Sequence, residues 1–268
     1  MATSPPLLQP EQNWSAYTAE EHDRWRRLFE RQQETLKSRA CQQFLDGLEE
    51  LGVMAGCIPD FRKLNDVLYG KTGWQVVVVP GLVDDAIFFE HLANRRFPAT
   101  CFIRREDQLD YIQEPDIFHD VYGHVPMLMN KTFADYMQAY GQGGLKALGS
   151  GNLPFLARLY WYTVEFGLLA TKNGLRIYGS GIVSSPKESV YALESPRPNR
   201  LSFDLLRTMC TTYRIDDVQE IYFVINSIEE LMEITLQDFG ALYARLQEMS
   251  VHVKNLQPSV VLPSDMWW

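Results

Sequence analysis

Between Leu153 and Ala170 the chain is apolar or aromatic around the whole circumference of a helix, and only Arg158 and Glu165 carry charge. A segment like this has no polar face to turn toward water, so other elements must wrap it on every side. The spacing predicts a helix over 154–172 at the centre of the domain. Burial then makes Glu165 a problem, because a carboxylate removed from water is costly unless it finds a partner. Arg158 lies on the same face but roughly 10 Å along the axis, too far for a direct pair. Either a metal cation or an arginine from elsewhere must answer the charge.

A metal finds further donors nearby. His119 and His124, two of only five histidines, sit in Pro115-Asp-Ile-Phe-His-Asp-Val-Tyr-Gly-His-Val-Pro126. On a regular α-helix a separation of five turns the two rings roughly 140° apart. A local widening toward an i→i+5 repeat brings them to one face, and such widening favours functional sites. Pro126 supports the irregularity, since it has no N–H to donate to Tyr122, and Gly123 supplies flexibility or room for close packing. Two imidazoles and one carboxylate can cap one face of an ion and leave the other open. That suits a non-heme Fe(II) oxygenase and also a zinc hydrolase, with spacing modestly favouring iron. The zinc enzymes usually present H-E-x-x-H, whereas here the spacing is longer and Asp120 follows His119. The competing reading is two ordinary half-buried histidines at a helix end beside a structural ion pair.

Elsewhere the pattern is one of helices with a few strands. Thr18 and Glu21 form a capping box for a helix that runs, with a break near Ser38, to a stop at Gly52. An irregular stretch opens at Ile58-Pro59. Trp74–Val79 is the clearest strand, closed by Pro80-Gly81, and Thr100–Ile103 is a second. A short helix spans 84–95 with Phe88, Phe89 and Leu92 inward. Further helices are expected at 115–124 and 132–141, the latter broken by Gly141, Gly143 and Gly144. Leu175–Val183 reads as extended and Ile221–Leu246 as one long amphipathic helix. The proline-bearing ends, 1–13 and 253–268, are expected to lie outside a single folded domain at 14–252. This describes a mainly α chain with a small β component.

Composition narrows the function. With 34 acidic against 25 basic residues the net charge is −9, which leaves no basic surplus for a nucleic acid partner. The longest aliphatic run, Val76–Val79, is far too short for a membrane span. Cys41, Cys57, Cys101 and Cys210 show no paired spacing and read as reduced thiols. No signal peptide is visible at the N-terminus, so a cytoplasmic location is expected.

Several stretches resemble the pterin-dependent aromatic amino acid hydroxylases, in particular their bacterial branch. They are Arg104-Arg105 before Asp110-Tyr111, E-P-D-I-F-H-D-V-Y-G-H-V-P at 114–126, F-A-D-Y-M-Q-A-Y-G at 133–141, Y-W-Y-T-V-E-F-G-L at 160–168 and Y-G-S-G-I-V-S-S at 178–185. With Tyr17-Thr18 through Glu21-His22, Thr72-Gly-Trp74 and Pro80-Gly81, the likeness covers about 17–227. It implies a single aromatic amino acid hydroxylase-like catalytic domain. It implies Fe(II) held by His119, His124 and Glu165, a tetrahydropterin cosubstrate (tetrahydrobiopterin or a bacterial analogue), and O2. The implied reaction converts L-phenylalanine to L-tyrosine, with tryptophan as the alternative substrate; a zinc hydrolase or a non-catalytic binder stays open on the residues alone. For the amino acid the resemblance implies Arg104 on the carboxylate, Asp116 orienting that arginine, Trp161 along the ring site and Ser184 near the metal, with Ser185 and Glu188 in support. For the pterin it implies Phe88 stacking on the ring, with Val83, Asp85, Asp120 and Tyr160 around it. Tyr122 departs from the phenylalanine common in bacterial relatives. No regulatory domain or tetramerisation helix like those of animal relatives is seen, so a monomer is expected.

Overall fold

The computed structural model describes residues 10–252 apart from Val53 and Asp216. Thr18 accepts a hydrogen bond from the Glu21 backbone N–H while the Glu21 carboxylate takes the Thr18 N–H, and this reciprocal cap starts α1 (Ala19–Leu36). After the break, α2 (Gln42–Leu51) stops at Gly52, which adopts φ 58°, the left-handed conformation that glycine accepts without strain. A helix then occupies ground expected to be irregular: α3 (Phe61–Thr72) is capped by the Asp60 carboxylate and ended by Gly73. Both signals stood in the sequence, as did the helical spacing of Phe61, Leu64 and Leu68.

β1 (Gln75–Val78) and β2 (Arg96–Ala99) form a parallel pair joined through α4 (Asp85–Ala93). The second strand thus lies just before the expected Thr100–Ile103, in register from Gln75↔Arg96 to Val78↔Ala99. The Phe118–His124 segment is π-helical and continues into α5 (Val125–Leu128). α6 (Lys131–Ala147) runs straight through the glycines expected to break it. Those glycines serve packing: a Cβ on Gly141 would stand 2.4 Å from the Ala93 nitrogen, and one on Gly144 2.0 Å from the Phe89 ring. α4 and α6 therefore approach at backbone distance. Gly141→Ala is expected to cost about 1–3 kcal/mol, since backbone cannot yield as a side chain does; urea unfolding measures it.

The central apolar segment divides three ways. α7 (Leu153–Tyr160) passes into a π-helical turn at Trp161–Glu165, and the chain then extends as β3 (Leu168–Thr171). The expected helix to 172 thus ends early, because a fully buried apolar run suits a strand as well as a helix. The supposedly extended 175–183 stretch becomes β4 (Gly174–Ile177) followed by the single turn α8 (Ser180–Val183). Beyond α9 (Pro186–Glu194), β5 (Asn199–Ser202) and α10 (Leu205–Cys210), the expected long helix resolves into β6 (Ile221–Ile225), α11 (Ile228–Ile234) and α12 (Phe239–His252). Every residue of β6 is buried, and the strand is flanked on both sides in a sheet of order β4-β3-β6-β5. β3 is antiparallel to β4, while β6 is parallel to both of its neighbours.

Near the front of the described residues, the Gln12 side chain accepts from the Phe61 N–H and donates to the Pro59 carbonyl. Gln12 belongs to the stretch 1–13 expected outside the domain, of which 1–9 lie outside the described residues. The expected tail at 253–268 lies outside the described residues. Among them, no helix is long and apolar enough to cross a membrane. All four cysteines are free thiols.

Candidate metal centre

The expected widening is present. With π-helical i→i+5 hydrogen bonding through Phe118–His124, the His119 and His124 rings meet at 5.1 Å between centroids and 89° between planes. Glu165 reaches the same point from the second π-helical turn, where Phe166 N–H donates to Trp161 carbonyl at 2.8 Å, a span of five. That second widening was not anticipated from the sequence. One potential ligand atom from each of His119, His124 and Glu165 lies within 4.8 Å of the others. Glu165 Oε1 is 3.2 Å from His124 Nε2, and Oε2 is 3.7 Å from His119 Nε2. Arg158 instead donates to the Met209 carbonyl and lies over Phe155. Glu165 pairs with no arginine or lysine among the described residues, which removes the structural ion pair as its explanation.

Serines on α8 orient the cluster. Ser184 donates its only hydroxyl proton to the Ser180 carbonyl at 2.8 Å, so toward His119 Nδ1, at 2.9 Å, it must accept. The Nδ1 therefore carries the proton, and the Nε2 lone pair faces Glu165. Ser180 Oγ stands 2.8 Å from Glu165 Oε2 and 3.1 Å from the Val164 carbonyl. Ser180 escaped notice in the sequence, where nothing distinguishes it from neighbouring small residues. Gly123 lets α8 come this close, since a Cβ there would be 3.0 Å from the Ser180 carbonyl oxygen.

Electrostatics favour a cation here. Burial pushes the Glu165 carboxyl up, but His124 and then His119 outweigh that and hold it down at about 2. Burial lowers the His119 imidazole, against the pull of Glu165. One carboxylate and two imidazole nitrogens are the donor set an Fe(II) centre with open positions takes. His119 and Glu165 keep 18% and 13% side-chain exposure. Both line a cavity of about 180 Å³, so the cluster is open on that side.

Of the residues expected around a pterin, Val83, Phe88, Asp120 and Tyr160 line this cavity. Phe88 and Tyr160 meet edge to face at 5.7 Å. Asp120 is tied through Oδ2 to the Thr100 N–H and hydroxyl. Asp85 stands exposed in the first turn of α4 and is not among the residues lining the cavity. Phe97, Pro98, Thr100 and Glu114 line the cavity without having been foreseen.

Arg104, Asp116, Trp161 and Ser184 do not line that cavity. Asp116, fully buried, binds Arg104 through Nε, Nη2 and the backbone N–H, and also accepts from the His119 N–H. Both side chains of this pair are buried. Arg104 Nη1 has no hydrogen-bond partner among the described residues. Trp161 is stacked on Tyr213 at 4.3 Å and 15°.

Tyr122 stacks on Phe118 at 4.7 Å and 10°, and its buried hydroxyl has no partner among the described residues. Burial raises the hydroxyl's pKa and nothing offsets it. Tyr122→Phe is expected to gain about 1–3 kcal/mol of stability and to leave iron content unchanged; thermal unfolding and metal analysis read both.

Residues 13–260 match the family model described as biopterin-dependent aromatic amino acid hydroxylase. The chain belongs to that family. This hydroxylase is 60% identical over 250 residues to the phenylalanine-4-hydroxylase of Caulobacter vibrioides, covering 92% of this chain and 85% of that protein. It is 60% identical over 241 residues to the Ralstonia nicotianae phenylalanine-4-hydroxylase, covering 90% and 77%. Its fold superposes on Chromobacterium violaceum phenylalanine hydroxylase with bound oxidized Fe(III), at TM-score 0.91 and 53% identity, covering 96% and 92% of the two chains. The iron- and phenylalanine-bound structure of that enzyme matches this hydroxylase at TM-score 0.90 and 49% identity, covering 99% and 95%.

Proposed function

We infer that the protein is an iron- and tetrahydropterin-dependent monooxygenase that converts L-phenylalanine and O2 to L-tyrosine. The observation that carries this is the convergence of His119, His124 and Glu165 on a cavity walled by Phe88 and Tyr160. The relatives named phenylalanine-4-hydroxylase favour phenylalanine over tryptophan as substrate. When bound, iron and tetrahydropterin together supply the oxygen-activating chemistry.

The chain's own residues bind, orient and shield. His119, His124 and Glu165 hold the metal, and Ser184 and Ser180 fix the ring tautomer and the carboxylate. Phe88 and Tyr160 offer aromatic faces to the pterin ring, with Val83 beside them and Asp120 anchored by Thr100 as a polar edge. Arg104 takes the amino acid carboxylate through its uncommitted Nη1, while Asp116 holds the guanidinium plane. Trp161 borders the ring site. Asp116 also grips the His119 N–H, so the substrate anchor and the metal helix share one carboxylate. The four free thiols suit a cytoplasmic location, and a monomer without membrane or nucleic acid partners is the assembly proposed.

An amino acid screen on chelated and reloaded protein tests this. Tyrosine is expected from L-phenylalanine only when ferrous iron and a tetrahydropterin are both added. Equal turnover with zinc alone, or with no pterin, contradicts the reading.

A further inference from the structure

Trp161 is held by more than stacking. Its Nε1–H donates to Gln219 Oε1 at 3.0 Å. Gln219 is 3% exposed, and its amide nitrogen donates to the Arg214 carbonyl at 2.9 Å and faces that of Asp217 at 3.4 Å. Those carbonyls forbid a flipped amide, which would turn NH2 against the indole N–H. The Gln219 backbone N–H donates in turn to Glu188 Oε1 at 3.0 Å, and the same oxygen accepts from the Tyr222 hydroxyl. Glu188 lies in the first turn of α9 and Tyr222 in β6, and both are buried. A buried carboxylate thus serves to pin one loop residue, with no metal ligand involved.

We propose that Gln219, anchored by Glu188, is a positioning residue that fixes the orientation of the Trp161 indole and so sets the width of the amino acid ring site. Two constraints divide the work. Tyr213 stacking and the Phe166 ring at 4.8 Å set the indole plane. Stacking alone lets an indole slide and rotate within that plane, because offset geometries differ little in energy. The single directional bond to Gln219 removes that rotation. The inference rests on the reading of Trp161 as a border of the ring site.

Steady-state kinetics on the iron-loaded full chain test it. Gln219→Leu keeps the volume and deletes the acceptor. It is expected to raise the KM for L-phenylalanine about three- to tenfold and to lower the preference for L-phenylalanine over L-tryptophan. The tetrahydropterin KM and the iron content should stay unchanged. Less tyrosine should form per pterin oxidised. Glu188→Gln retains an acceptor for the Gln219 N–H and should stay near wild type, whereas Glu188→Leu should reproduce Gln219→Leu. In a Trp161→Phe background, which lacks the indole donor, Gln219→Leu should add no further change in the L-phenylalanine KM. An equal rise in both KM values, or a full additional effect in that background, overturns the positioning role. If Trp161→Phe itself moves neither the amino acid KM nor the preference, the placement of the ring site fails and the inference fails with it.

Discussion

Glu165→Ala is expected to strip the protein of iron and of nearly all tyrosine formation while the fold persists. The carboxylate is the only anion among the three converging donors, and the positions of His124 and His119 already hold it ionised. Without it, the two imidazoles face the cavity with no anionic donor to balance a divalent cation. The loss should exceed the roughly 10–100-fold that removal of an outer hydrogen-bond partner costs a metal site. Metal analysis after desalting, with circular dichroism as the control for folding, reads the result. Full iron content in the variant would remove Glu165 from the centre.

Arg104→Ala is expected to raise the L-phenylalanine KM at least about thirtyfold, the low end for truncating one member of a buried charged pair, and to move the tetrahydropterin KM far less. Asp116 holds the guanidinium by two side-chain bonds and leaves Nη1 free. Deleting the arginine removes that donor and leaves Asp116 buried with an uncompensated charge, so thermal stability should fall as well. Because Asp116 also accepts from the His119 N–H, some loss of iron retention is expected too. An equal rise in both KM values would contradict a carboxylate contact.

Much of the metal centre was legible because chemistry forced it. A buried Glu165 needs a partner, and histidines five apart need a widened helix to face one another; both requirements are met at one point. The second widening, at Trp161–Glu165, was not legible, because nothing in an apolar run distinguishes one repeat from another. The same ambiguity hid β6. Ile221-Tyr-Phe-Val-Ile225 is buried on all sides, and periodicity cannot separate a buried strand from a buried helix there. The better signal lay just beyond it, where Ser227 caps α11 by accepting from the Glu230 N–H. Gly141 and Gly144 misled for another reason: glycine reads as a helix breaker, yet here it makes room for α4. Residues brought in from distant elements, such as Ser180 and Gln219, needed the fold before their partners could be seen.

An anomalous difference map at the iron edge, from crystals of the ferrous-loaded protein, tests the centre most directly. One peak is expected in coordination contact with His119 Nε2, His124 Nε2 and a Glu165 carboxylate oxygen, with its remaining side open to the cavity walled by Phe88 and Tyr160. A peak elsewhere, or none in crystals of protein that makes tyrosine, would contradict it.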